Sequence, residues 1–183
     1  MAASKELALI SRRYREAFGA VLRPSFQDYR SAEREDRASA ALGYRWANAG
    51  LLFLECYLDQ PIETLVGAVL DRTVQRRQIV EIGNFAADNA IAMVELWGAV
   101  ANDLAGDGEV AVATLTAPMR KMFRRLGVPI HELASARPDS ATINAADWGC
   151  YYDADPIVCC GLIAPGQEAI ARFLARRGRS AAA

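Results

Sequence analysis

The chain has a single histidine, His131, and its four cysteines, Cys56, Cys150, Cys159 and Cys160, form no Cys-x-x-Cys pair. A Ser/His/Asp or Cys/His centre would have to use His131, and no serine or cysteine sits in a nucleophile-elbow pattern. The adjacent Cys159 and Cys160 cannot face one side of a strand, so no zinc site and no metal is expected. Excess charge of either sign is also missing. The 21 basic and 22 acidic residues leave a net charge of −1, which offers no attractive field for nucleic acid. No apolar stretch approaches the ~20 residues of a membrane span, because Asp59 and Glu95 interrupt the longest ones. The opening Met1-Ala2-Ala3-Ser4-Lys5-Glu6 lacks the apolar core of a secretion signal. With reduced thiols, these absences lead to the expectation of a cytoplasmic protein that neither spans a membrane nor binds nucleic acid.

What is present is ordinary globular material: 183 residues, 52% of them hydrophobic, enough for one domain over residues 1–183 with a real core. A disordered tail is expected over residues 178–183. The chain is organised around Ile79-Val80-Glu81-Ile82-Gly83-Asn84-Phe85-Ala86-Ala87, read as a strand leading directly into a helix from about Asp88 to Ala105. Glu81 and Asn84 are the polar exceptions in that strand, and burying either without a partner costs several kcal/mol. Strict alternation puts Glu81 with Ile79, Gly83 and Phe85, and Asn84 with Val80 and Ile82. A bulge, cheapest at Gly83, would change that.

Around this centre, Lys5 to Phe18 reads as an amphipathic helix between Ser4 and Gly19. Phe26–Ser31 and Ala40–Trp46 read as a hairpin, and Leu51–Leu58 as a strong strand. Asp59-Gln60-Pro61 opens a short helix. Glu109–Leu115 is a strand. The helix after Thr116 buries Met119, Met122, Phe123 and Leu126 and turns Arg120, Lys121, Arg124 and Arg125 outward. Val128–Leu133 is an edge strand, followed by a polar loop through Pro138-Asp139-Ser140. A hairpin from Trp148 to Ile163 turns at Asp153-Ala154-Asp155-Pro156, and a helix over Pro165–Arg177 closes the chain. The expected class is α/β (α+β): a mixed, mostly antiparallel twisted sheet with a central parallel pair and helices on both faces.

Four ordered blocks carry a resemblance: Leu51 to Asp59, Glu81 to Ala86, Phe123-Arg124-Arg125-Leu126-Gly127, and Trp148 to Pro156. Together they resemble the thermostable hemolysin family. That resemblance implies a GNAT-like fold similar to acyl-homoserine-lactone synthases, in which the central parallel strands splay apart. Those synthases carry Trp-Glu-Ile-Ser-Arg in the central strand; Glu81 falls on their glutamate and Asn84 on their arginine. The Gln/Arg-x-x-Gly-x-Gly/Ala phosphate loop of ordinary GNAT enzymes is replaced by Asp88-Asn89-Ala90-Ile91.

The activity so implied is acyl transfer to a small-molecule amine. The donor would be acyl-CoA, an acyl-carrier-protein thioester or an acyl-adenylate, with no tightly bound cofactor. Glu81 would be the base if burial raises its pKa, or else it pairs with an arginine. Asn84 would donate to a carbonyl or make a structural hydrogen bond. Backbone groups of Phe85, Ala86, Ala87, Asp88 and Asn89 would line the donor slot. Tyr152 would protonate the leaving thiolate, and Tyr57, Asp59 and Tyr151 would bind the amine. The tyrosines alternatively are packed aromatics, and Asp59 alternatively caps the helix that follows. The basic helix face is either solvated or a dock for an acidic carrier protein. A membrane-damaging protein, suggested by the family name, and a non-catalytic binding module are the rival readings.

Overall fold

The structure, a computed structural model, describes residues 4–23, 26–138 and 143–181. Helix α1 (Lys5–Phe18) starts at Ser4, whose side chain accepts from the Leu7 N–H, and stops at left-handed Gly19. Strands β1 (Asp28–Arg34) and β2 (Arg37–Trp46) form a longer hairpin than the composition suggests. Its polar middle is not a loop: a two-residue turn at Glu35 and Asp36, both at positive φ, closes it, the geometry that matches strand twist.

Leu51–Leu58 is not a strand. Its core, Phe53–Tyr57, is a 3-10 turn, because carboxylates rather than a neighbouring strand take its amide groups. Glu55 accepts from the Leu52 N–H at 2.9 Å, and Glu81 accepts from Phe53 and Leu54 at 3.0 and 2.9 Å. Helix α2 (Ile62–Leu70) follows, with Pro61 rather than Asp59 at its N-cap.

Strand β3 (Ile79–Ala87) leads into helix α3 (Ala90–Leu104), and β4 (Val110–Leu115) leads into α4 (Ala117–Leu126). Helix α4 does not turn Arg120 outward. Arg120 is buried and donates to the Leu115 carbonyl and to both the carbonyl and the carboxylate of Asp155. Its spacing suits an outward face, but the chain before β6 folds back over it. Strand β5 (His131–Ser135) lies at the sheet edge; of the polar loop after it, residues 139–142 lie outside the described residues.

The predicted Trp148–Ile163 hairpin is half right. Only β6 (Ile157–Leu162) is a strand, while Ala145–Trp148 and Tyr151–Ala154 are 3-10 turns. Helix α5 runs from Ile163 to Ala181, so the expected disordered tail is helical through residue 181; residues 182–183 lie outside the described residues.

The sheet order is β1-β2-β3-β4-β6-β5, antiparallel except for the β3–β4 pair. One face carries Val80, Leu42 and Tyr44 against α3 and α5. The opposite face carries Ile79, Val110, Val112 and Val158 against α2 and Leu54, and α1 packs Ile10 and Tyr14 beside Ala41 and Ala86. Alternation along β3 and β4 supplies both layers.

Candidate active site

The parallel pair is short. β3 meets β4 only at Ile79–Val110, Val80–Ala111 and Glu81–Val112. Beyond Glu81, β3 stays on β2 while β4 continues along β6 as far as Leu115–Ile157. A bulge accompanies this separation: Gly43 faces Gly83 but Ala41 faces Ala86, so β3 carries one extra residue. Asn84 takes φ +54°, a left-handed conformation that asparagine tolerates better than most residues. The bulge therefore falls one residue after Gly83, the site the sequence favours. Gly83 has another task. A Cβ there would lie 2.7 Å from the Phe26 ring, and one at Gly43 would lie 2.6 Å from it, so these glycines let Phe26 rest on the sheet.

The extra residue also reverses the alternation. Phe85 does not share the face of Glu81; it joins Val80 and Ile82 on the α3 side, edge-on to Trp97. Ala86 turns toward α1.

A crevice of about 180 Å³ opens where the strands part, lined by Phe85, Ala86, Ala87, Thr114, Thr116 and Tyr151. Phe85 and Ala87 also border an outer slot of about 220 Å³ with Asp88, Asn89, Met93 and Met122. Behind the sheet, Phe85 borders an apolar chamber of about 100 Å³ with Ile82, Trp97, Ala113, Phe123 and Ile170. All five residues expected to line a donor slot thus border the crevice or its mouth. The mouth of α3 is nevertheless not an open anion site. The Asp88 N–H is bonded to the Ser39 carbonyl at 2.8 Å, its carboxylate pairs with Arg12 at 2.6 Å, and the Asn89 side chain caps Ala92 at 2.9 Å. The chamber residues escape sequence reasoning, because Trp97, Phe123 and Ile170 show the apolar spacing of any core helix and Ile82 and Ala113 the alternation of any buried strand.

Glu81 occupies the last paired rung and is only 3% exposed. One oxygen accepts from Leu54; the other accepts from Phe53 and lies 3.3 Å from Arg45 Nε. Arg45 sits directly across the ladder from it and stacks over Phe26 at 4.7 Å. Burial raises the Glu81 pKa, against the pull of the two N–H groups and Arg45. Of the two roles the sequence left open, the arginine pairing is the one the geometry displays. The Asn84 side chain lies near the Tyr29 phenol and opposes part of the rise that burial imposes on its pKa.

The model of the thermostable hemolysin family matches residues 2–167. The chain belongs to that family. A search of curated protein sequences finds no match. Among solved structures, the chain is similar to TofI in an apo form, with TM-score 0.61, 18% identity, and coverage of 93% of this chain and 90% of that one. FeeM, an N-acyl amino acid synthase from uncultured soil microbes, aligns with TM-score 0.60 and 10% identity over 90% of this chain and 92% of its own. The AHL synthase LasI aligns with TM-score 0.58 and 14% identity, covering 87% and 81% respectively. The fold is therefore the GNAT-like one that the four sequence blocks imply.

In this thermostable hemolysin family member the tyrosines divide differently from the expectation. Tyr151 and Tyr152 lie in a 3-10 turn, so they do not point to opposite sides; both join an aromatic cluster with Trp148, at 5.1 and 6.1 Å. Tyr152 shares a 2.9 Å hydrogen bond with the Tyr57 hydroxyl. Neither is among the residues lining the crevice, whereas Tyr151 is. Burial holds the Tyr151 phenol well above its ordinary pKa and hence protonated. Asp59 is exposed at the approach to α2, apart from the crevice lining.

Other chemistry finds little footing. His131 is exposed on the edge strand. Burial pushes the Cys159 thiol up to about 12 and Cys160 up to about 11, far from thiolate reactivity. Among the described residues no group of three or more His, Cys, Asp or Glu is placed to hold a metal ion, and no helix is long and apolar enough to cross a membrane.

Proposed function

We propose that the protein transfers an acyl group from an activated donor, a thioester or an adenylate, to an amine in the gap between β3 and β4. The observation that carries this reading is the early end of the β3–β4 ladder at Glu81–Val112, with a crevice beside it that meets an apolar chamber at Phe85. Such a gap lets a donor arm lie along unpaired strand edges while an apolar acyl chain is buried behind them. Burial of a chain contributes about 0.8 kcal/mol per methylene, and the chamber offers that contribution without a polar penalty. The likeness of the fold to FeeM, an N-acyl amino acid synthase, and to the AHL synthase LasI supports the same reading.

In the reaction, the amine nitrogen forms a bond to the acyl carbonyl carbon and the carbon–sulfur (or, in an adenylate, carbon–oxygen) bond breaks. The electron pair leaves on sulfur or phosphate oxygen, and the amine loses a proton. Tyr151, protonated and beside the crevice, is placed to supply a proton to a departing thiolate. Glu81 acts as a positioning residue: it fixes the Phe53–Tyr57 turn against the last paired rung. Asp88 and Arg12 neutralise each other at the mouth, so a donor phosphate would lie outside the α3 N-terminus. Lys121 and Arg125 stay exposed on α4 as a contact for an acidic carrier protein.

The test is release of free thiol from purified protein given acyl-CoA or acyl-carrier-protein donors and a panel of primary amines, with amide product confirmed by mass. Adenylate donors are followed by release of adenylate. Amine-dependent release is expected. Folded protein that gives none with any donor class overturns the reading.

A further inference from the structure

A further cavity, of about 220 Å³, lies across the bulge from the donor crevice. The two approach each other at adjacent residues. Asn84 lines this cavity and Phe85 lines the crevice; Trp148 lines this cavity and Tyr151, its ring tilted against Trp148 with centroids 5.1 Å apart, lines the crevice. A molecule bound here would meet a donor carbonyl where the strands part.

The walls suit a small molecule of definite character. Phe26, Phe53 and Trp148 form the apolar side, with the Phe53 and Trp148 rings 5.8 Å apart and tilted by 31°. The polar side carries opposite charges, Arg23 and Asp147. Among the described residues neither makes an ion pair or a side-chain hydrogen bond, with each other or with any third group. Both are exposed, and although other exposed pairs join, as in Arg12–Asp88 and Arg72–Glu109, these two share one cavity without doing so. The Asp147 backbone is fixed: its carbonyl accepts from the Val21 N–H at 2.7 Å, and its N–H donates to the Asn144 carbonyl at 3.0 Å. That clasp brings the segment carrying Arg23 beside the turn carrying Asp147.

We propose that this cavity binds the amine acceptor, and that the acceptor carries a carboxylate: an amino acid or a similar zwitterion. The guanidinium of Arg23 takes the carboxylate in the paired geometry that arginine offers. Asp147 takes the ammonium on entry, and the amine gives its proton to solvent before it attacks from the Asn84 side. The apolar wall of Phe26, Phe53 and Trp148 takes the acceptor's side chain. This assignment rests on the acyl-transfer reading above, and it adds the class of acceptor.

The experiment uses the full chain, the standard amino acids, and for each its carboxamide and its decarboxylated amine. Binding is read by calorimetric titration without donor, and transfer by thiol release with an acyl-CoA. Amino acids are expected to bind and react at least tenfold better than their carboxamides, and Arg23→Ala to erase that ratio while retaining the parental melting temperature. Arg23→Lys should restore part of it. Equal binding of acids and carboxamides by the parent, no binding of either, or a ratio unchanged in Arg23→Ala overturns the proposal. Arg23-dependent amino-acid binding without any acyl transfer would sustain the site and defeat the transferase reading.

Discussion

Two apolar runs with one glutamate each, Leu51–Leu58 and Ile79–Ala87, have opposite fates. The second is a strand with β2 along one edge and, for its first rungs, β4 along the other. The first is a 3-10 turn whose N–H groups go to Glu55 and Glu81. Apolar content cannot separate them. A strand needs a neighbour for its backbone, and a buried amide takes whichever acceptor reaches it. Here the strand's own carboxylate is the acceptor for the turn, so the two runs are one construction, and the turn lies over the last rung before the gap.

The largest test of this comparison is Glu81→Gln. The amide oxygen can accept from one N–H group, but the amide nitrogen cannot accept from the other, and Arg45 loses its counter-charge. Removing one partner of a buried ionic cluster costs about 3 kcal/mol, and urea unfolding should show a loss near that size. A loss under about 1 kcal/mol would mean that the turn holds itself. The pH dependence has a sign. Burial raises the Glu81 pKa in the folded state, so its contribution is full below the ordinary glutamate value and declines as pH rises through the raised one.

Glu55→Gln sharpens the comparison with a smaller effect. Glu55 accepts from Leu52 and Ile62 and is gripped on both oxygens by Arg76, at 2.8 and 3.0 Å. Burial works to raise its pKa, but the Arg76 bond and the two N–H groups outweigh it and hold the carboxyl low. The sign is thus the reverse of Glu81: its stabilisation is present above the ordinary value and is lost as pH falls toward the lowered one. Glu55→Gln should cost about 2 kcal/mol near neutrality, shrinking toward acid pH in urea titrations, whereas the Glu81→Gln deficit should not shrink there. Parallel pH profiles for the two variants would refute the assignment of opposite shifts.

This pair also shows what was legible in the chain. The strand at Ile79–Ala87, the helix capped by Ser4, the helix expected from about Asp88, and the parallel pair follow from periodicity, capping and element order, which are local; the cap at Asn89 is a detail the structure adds. The bulge at Asn84 was not local: Gly83 is the intrinsically easier position, but Phe26, distant in sequence, claims the space above it. Likewise Arg120 lies on the outward side of α4 by spacing, and is buried only because Asp155 returns to cover it. The residues bordering the gap, Phe85 to Asn89, were legible because a strand–helix junction announces them. The Arg23–Asp147 cavity was not, since α1's exit and the Ala145–Trp148 turn meet only in the folded chain.

The smallest effect lies at the far end of the turn, where Tyr57 bonds to Tyr152. Burial, helped by that bond, lifts the Tyr57 phenol far above its ordinary value, so both groups are neutral at any working pH and the bond is an uncharged one. Such a bond contributes about 1 kcal/mol. Tyr57→Phe keeps the edge-on contact with Phe53 at 6.0 Å and leaves Tyr152, which is only partly buried, free to turn to water. The expected loss is therefore at most about 1 kcal/mol, flat with pH up to the range where tyrosines ionise. Acyl transfer by Tyr57→Phe should stay within about threefold of the parent, because the crevice is lined by Tyr151 and not by this pair. A hundredfold fall in kcat at unchanged melting temperature would instead move the proposed proton-donor role from Tyr151 to the Tyr57–Tyr152 pair, and would make the turn at Leu51–Leu58 part of the proposed chemistry rather than its support.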